Sequence, residues 1–104
     1  MSRRLPEFLI AHRDEISRLC RELGVRRLEL FGSASTGKGS PADLDFLVDL
    51  GDRPPREYAD TYFRLLDGLQ ALLELPVDLV TPAGLENPYF RQRVEQEKTL
   101  LYAA

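Results

Sequence analysis

Residues 31–50 read FGSASTGKGSPADLDFLVDL. The segment before them alternates apolar and polar residues up to Phe31, residues 43–50 alternate again, and glycines and small hydroxyl residues lie between. This pattern predicts a strand, a small-residue loop and a second strand. Because strand side chains point to alternate faces, one face of the second strand is apolar and carries Leu44, Phe46, Val48 and Leu50. The opposite face carries Asp43, Asp45, Leu47 and Asp49.

The two carboxylates of Asp43 and Asp45 therefore share one face, about 6.6 Å apart along the strand. That spacing suits one or two shared divalent cations and is unfavourable for an unpaired like-charge pair. Magnesium usually binds one or two carboxylates together with waters and phosphate oxygens of a substrate. Gly32 and Ser33 can bring backbone N–H groups close to such a phosphate. The same residues also fit a solvated strand face that follows an ordinary turn. Asp49 lies about 13 Å from Asp45 and is left out of the predicted site.

A second motif overlaps this loop. Gly32, four residues, then Gly37-Lys38 nearly spells the phosphate loop of nucleoside triphosphatases, which requires Ser or Thr after the lysine and then a helix. Here Gly39 offers no hydroxyl, and Pro41 leads into a strand. Both the chemistry and the context therefore exclude the phosphate loop.

Gly32-Ser33, nine further residues and Asp43-Leu44-Asp45 together resemble the signature of the DNA polymerase beta-type nucleotidyltransferases. The short chain is similar to their minimal branch, the MNT or MntA-like antitoxins that pair with HEPN toxins. The resemblance covers residues 25–80 and implies an α/β (α+β) fold, a small mixed β-sheet flanked by helices. The family loop usually reads Gly-Ser-x-Ala-Arg-Gly. Thr36 stands in place of that arginine, and Lys38 is the nearest cation that follows.

Asp78 is an acidic residue in the otherwise apolar segment 76–81, which predicts a third strand. A carboxylate there must face solvent or have a partner, since burying it unpaired costs several kcal/mol. The resemblance implies that Asp78 joins Asp43 and Asp45, either as a metal ligand or as the base that deprotonates the acceptor.

The resemblance also implies a function. The protein would be a magnesium-dependent nucleotidyltransferase that transfers AMP from ATP to a hydroxyl, expected to be a tyrosine of a cognate HEPN toxin. It would then act as the antitoxin of a type VII toxin–antitoxin pair. One alternative is a catalytically weakened antitoxin that neutralises its partner by binding alone. Another is a small-molecule acceptor such as an aminoglycoside, although a domain this small has few residues to wall such a pocket.

Composition limits the remaining possibilities. The 104 residues predict one domain spanning 1–104, too short for a two-domain polymerase. A net charge of −3 without a basic run argues against direct nucleic-acid binding. Cys20 is the only cysteine and predicts a buried thiol in a reducing cytoplasm. No segment is apolar enough for export or for spanning a membrane, so we expect a cytoplasmic protein.

Apolar periodicity predicts the remaining elements. We expect helices over 6–23 and 56–74, a first strand over 25–31, and a last helix from Asn87 that continues through Tyr102. That last helix either closes the core or leaves an apolar strip for another protein. His12, the sole histidine, is expected to have a packing or surface role.

Overall fold

The computed structural model describes residues 5–32 and 43–104. Its elements in chain order are α1 (Glu7–Ala11), α2 (Arg13–Leu23), β1 (Arg27–Phe31), β2 (Leu44–Asp49), α3 (Pro55–Leu73), β3 (Val77–Val80), a 3₁₀ helix (Pro82–Leu85), α4 (Pro88–Glu97) and β4 (Thr99–Ala103). The four strands form one sheet in the order β3-β2-β1-β4. β1 is antiparallel to β2 and β4, whereas β2 and β3 are parallel. The predicted mixed sheet flanked by helices is therefore confirmed.

The main core lies on the apolar face of the sheet, as the alternation in β2 predicts. Leu44, Phe46 and Val48 are fully buried there. They pack in one cluster with buried residues of α1, α2, α3 and the other strands. Cys20 belongs to this cluster, and burial raises the pKa of its thiol to about 12. The prediction of a buried thiol is confirmed.

The opposite face of the sheet carries a smaller apolar cluster. It is formed by Phe31, Leu47, Leu85 and Val94, and Val80 and Phe90 pack against it. The 3₁₀ helix and α4 supply Leu85, Val94 and Phe90, so these two elements cover part of this face. This is the face on which Asp45 lies, because Asp45 and Leu47 are two residues apart in β2.

The predicted single helix over 6–23 is wrong in one respect, because it is broken at His12. His12 has φ −101° and ψ 8°, and its carbonyl oxygen accepts the amide of Ile16 at 2.9 Å to begin α2. Its side chain is half-buried, and Nδ1 lies 3.2 Å from Glu15 Oε1, which agrees with a surface role. The helix ends as predicted at Gly24, which has φ +69°.

The prediction that the last helix continues through Tyr102 is also wrong. Asn87 begins α4 as expected, and its side chain accepts hydrogen bonds from the amides of Tyr89 and Phe90. The helix stops at Glu97, Lys98 is extended with ψ 141°, and β4 then pairs with the free edge of β1. Pairing with an existing strand outweighs the local periodicity, which cannot register a distant partner. No helix among the described residues is long and apolar enough to cross a bilayer.

Candidate active site

Strand register brings two of the predicted site residues side by side. Phe31 of β1 pairs with Asp45 of β2, and Asp45 pairs with Asp78 of β3. Paired residues on neighbouring strands lie about 4.8 Å apart in the pairing direction and point to the same face. The carboxylates of Asp45 and Asp78 therefore stand next to each other, and Asp78 is not on the core side of the sheet.

Asp43 and Gly32 complete the described part of the predicted site. Asp43 is exposed and immediately precedes β2. Gly32 immediately follows β1 and has φ +80°, a backbone conformation that L side chains rarely adopt. A Cβ on Gly32 would lie 2.6 Å from Asp45 Oδ2, so the Asp45 carboxylate would have to shift if any other residue stood here. Ser33, Thr36 and Lys38 lie outside the described residues.

A cavity of about 160 Å³ opens beside Gly32, Asp45 and Asp78, whereas Asp43 is not among the residues that line it. The described residues that line it are Phe31, Gly32, Asp45, Asp78, Phe90, Arg93, Val94 and Glu97. The rings of Phe31 and Phe90 meet edge to face with centroids 5.9 Å apart. This contact and the burial of Val94 seat α4 on the sheet, so that α4 forms one wall of the cavity.

Sequence reasoning missed the residues that α4 contributes. Phe90, Val94 and Glu97 recur at the spacing of one helical face. In this stripe, Glu97 is a carboxylate where an apolar residue is expected. That exception could have indicated that Glu97 faces a site. Arg93 immediately precedes Val94 and gave no such signal, because its position depends on how α4 lies across the sheet.

Negative charge is concentrated around Asp45. Burial, and then the charges of Asp43, Asp78 and Glu97, raise the pKa of the Asp45 carboxyl above its usual value. Within residues 5–32 and 43–104, no three acidic, histidine or cysteine side chains are close enough together to form a ready-made metal site. The carboxylates of Asp45, Asp78 and Glu97 thus line one cavity without meeting at one point, and their repulsion would fall if a cation entered.

Asp78 also acts electrostatically on the neighbouring helix α3. The Tyr62 hydroxyl donates a hydrogen bond to the carbonyl oxygen of Leu79 at 2.6 Å. Burial, the charge of Asp78 and the neighbouring Tyr58 raise the pKa of Tyr62. The two tyrosines pack against the main core, as the sequence predicted.

Asp49 lies away from the cavity although it shares the strand and the face of Asp45. Its Oδ1 accepts the amide of Gly51 at 2.8 Å. It lines a second cavity of about 290 Å³ together with Arg27, Glu29 and Leu47. Asp49 is therefore a natural control residue for the Asp45 position.

Comparisons with known proteins agree with this arrangement. The family model described as nucleotidyltransferase domain matches residues 13–101. A Methanocaldococcus jannaschii protein named "Putative protein adenylyltransferase MJ1379" is 30% identical over 70% of this chain and 73% of its own length. A solved structure described as a "putative minimal nucleotidyltransferase" is 35% identical, covers 89% of this chain and 92% of its own, and has a TM-score of 0.69.

Two further solved structures share the fold at lower identity. One is a toxin–antitoxin with AMP-PNP, 24% identical, covering 88% of this chain and 73% of its own, with a TM-score of 0.66. The other is a tri-AMPylated Shewanella oneidensis HEPN toxin in complex with MNT antitoxin. It is 21% identical, covers 92% of this chain and 73% of its own, and has a TM-score of 0.64. These two likenesses show the fold alone.

Proposed function

Because the chain belongs to the nucleotidyltransferase domain family, we propose that it transfers AMP from ATP to a hydroxyl group of another protein. The observation that carries this proposal is the register that places Asp45 next to Asp78, beside Gly32 and facing one cavity. The relative of 30% identity bears the name of a protein adenylyltransferase, which supports a protein as the acceptor.

The donor set fits magnesium. Asp43, Asp45 and Asp78 offer hard carboxylate oxygens, the ligand type that Mg²⁺ prefers. Burial, and then the charges of Asp43, Asp78 and Glu97, raise the pKa of Asp45, and a cation would offset those charges. We assign Asp43 and Asp45 to holding the metal, with Asp78 as a third ligand or as the base. Bound Mg²⁺ would neutralise charge on the phosphates and on the departing pyrophosphate.

The chain's own residues would position the reaction and move one proton. Gly32 and Ser33 would hold the triphosphate at the end of β1, with Gly32 leaving the space that Asp45 occupies. In the role of base, Asp78 would accept the proton of the acceptor hydroxyl as the hydroxyl oxygen bonds to the α-phosphorus. The bond from the α-phosphorus to the oxygen bridging to the β-phosphorus then breaks, and pyrophosphate leaves. Such catalysis comes mainly from positioning and electrostatics.

We propose a HEPN-type toxin as the acceptor protein, with a tyrosine as the modified residue. Support comes from the AMPylated HEPN toxin seen with an MNT antitoxin of the same fold. AMP-PNP in another toxin–antitoxin structure supports ATP as the donor. Transfer of AMP would inactivate the toxin, so that the protein acts as an antitoxin.

The test uses the purified protein, Mg²⁺ and the product of the neighbouring gene, with ATP labelled either at the α-phosphate or at the γ-phosphate. We expect label on the partner only from α-labelled ATP, and the loss of that label with Asp45→Asn. Transfer from γ-labelled ATP would indicate a kinase. Absence of transfer from either form would contradict the proposal.

Neutralisation by binding alone is the second candidate function. It is favoured by the absence, within the described residues, of a ready-made metal site, and by Thr36 at the place of the family's loop arginine. Under this alternative, an Asp43→Asn and Asp45→Asn double variant suppresses the toxin fully when present in equal amount. Loss of suppression while the complex still forms would exclude it.

A further inference from the structure

Arg93 is the only cation among the described residues that line the cavity. It lies on α4, across the cavity from Asp45 and Asp78, which belong to the sheet. Asp45, Asp78 and Glu97 supply three carboxylates, so the described lining has one positive group against three negative ones. Such a lining repels a polyphosphate unless cations take part in binding.

The cations around Arg93 are already engaged. Arg91 Nε donates to the carbonyl oxygen of Leu85 at 3.1 Å. Lys98 Nζ lies 2.9 Å from Glu95 Oε2. For Arg93 the described part of the chain provides no hydrogen bond and no ion pair. Its guanidinium is exposed at the cavity wall and is available to a ligand.

We propose that Arg93 binds the phosphate chain of the nucleotide, as a deepening of the function proposed above and resting on it. A guanidinium carries five N–H donors in a planar fork that matches two phosphate oxygens, and it stays charged at any physiological pH. From α4, Arg93 would contact the phosphates on the side opposite the strand that carries Asp45. It is a nucleotide-positioning residue that compensates the negative cavity.

Its position on α4 gives the proposal a second consequence. Phe90 and Val94 fix this helix to the sheet, so the guanidinium is carried by a packed element. Binding through Arg93 therefore requires α4 to stay seated. Phe90→Ala should weaken ATP binding in parallel with Arg93→Gln while leaving every charge of the cavity in place.

The test measures the binding of ATP and of adenosine by calorimetry in the presence of Mg²⁺, for the wild type, Arg93→Gln and Arg91→Gln. Arg91→Gln is the matched control, since it removes the same charge two positions away on the same helix, beside the second cavity. We expect Arg93→Gln to weaken ATP binding by at least about tenfold and to leave adenosine binding unchanged, since bonds to charged groups are among the stronger ones. The ATP affinity of Arg93→Lys should fall between those of the wild type and Arg93→Gln.

The outcomes separate this inference from the proposed function. Unchanged ATP affinity in Arg93→Gln, with wild type that binds and transfers, overturns the role of Arg93 alone. An equal loss for ATP and adenosine also overturns it, because the effect is then structural. If the wild type does not bind ATP, both the role of Arg93 and the proposed function are overturned. Thermal unfolding of each variant shows whether it is folded. If Arg93→Gln does not fold, the ATP affinity of Arg93→Lys tests the role of Arg93 instead.

Discussion

At the scale of single residues, Gly32 and Asp45 constrain each other. Gly32→Ala would put a Cβ 2.6 Å from Asp45 Oδ2 and force alanine into φ +80°. The left-handed conformation costs roughly 1–2 kcal/mol, and the carboxylate must also move. We expect lower stability together with loss of AMP transfer by the folded protein.

Gly51→Ala is the control for this change. Gly51 has φ +73°, and its added Cβ would meet the flexible Cδ of Arg26. Thermal unfolding should show a similar backbone penalty, while transfer per folded molecule stays at the wild-type level. Equal transfer by Gly32→Ala and wild type would contradict the close packing of Gly32 on Asp45.

The raised pKa of Asp45 makes a prediction about stability. Its protonated form is favoured in the folded protein, so this group's stabilising contribution is present below the ordinary aspartate pKa of about 3.9 and is lost as pH rises through the raised pKa. Without divalent cations, Asp45→Asn should therefore be more stable than wild type at pH 7. The difference should vanish in acid.

Thermal unfolding against pH measures this difference. Asp49→Asn makes the same chemical change on the same strand face and gives the baseline. Wild type that is more stable than Asp45→Asn at pH 7 would show that the negative charges around the cavity do not oppose folding.

The sequence predicted the carboxylates of this site better than its other residues. Alternation in β2 was enough to set Asp45 opposite the core. The apolar strand left Asp78 either facing solvent or paired, and the family resemblance joined it to Asp45. Arg93 gave no signal in the sequence, and Glu97 was indicated only by its place in the apolar stripe of α4. Both residues come from α4, about 50 residues after Asp45. They face the cavity because Phe90 and Val94 dock that helix on the sheet.

At the scale of elements, the alternating burial of Leu100 and Leu101 tests whether residues 99–103 form a strand. Leu101 is 2% exposed and packs in the main core, whereas its neighbour Leu100 is 42% exposed. Leu101→Ala should lower the free energy of unfolding by about 2–5 kcal/mol. Leu100→Ala should lower it by less than about 1 kcal/mol. Equal losses in urea denaturation would contradict the alternation of β4.

Arg53 ties three elements together on the core side. Its guanidinium donates to the carbonyl oxygens of Leu50 and Leu23 at 2.8 and 2.9 Å, and to Thr61 Oγ1 at 3.2 Å. A lysine cannot reproduce this fork. Arg53→Lys should therefore cost about 1–3 kcal/mol in urea denaturation. Arg56→Lys, at an exposed position in the first turn of α3, is the matched control.

Periodicity predicted the type of most elements but not their connections. The break at His12 leaves the apolar spacing almost unchanged, since Leu9 and Ile16 are buried on both sides of it. The segment after Glu97 reads as helical because its apolar residues suit either structure. The segment forms a strand because it pairs with the edge of β1, which lies more than 60 residues earlier in the chain.

At the scale of the whole molecule, the two faces of the sheet have different tasks. The main core lies on one face and includes residues of every strand, while the carboxylates and the cavity lie on the other. The residues of the proposed site therefore lie outside the main core. Mg²⁺ should raise the thermal midpoint of the wild type by relieving repulsion among the carboxylates, and it should leave that of the Asp43→Asn and Asp45→Asn double variant unchanged. A shift of equal size in both would place the binding elsewhere.

The most direct test measures the transfer of AMP from α-labelled ATP to the partner by wild type, Asp78→Asn and Asp49→Asn. It tests whether the paired strands β2 and β3 form the active site. Asp78→Asn should reduce the rate by about 10²–10⁴-fold, as expected when a general base is lost. Asp49→Asn, on the same face as Asp45 but outside the cavity, should transfer at the wild-type rate. Wild-type transfer by Asp78→Asn, or an equal loss in Asp49→Asn, would contradict this account.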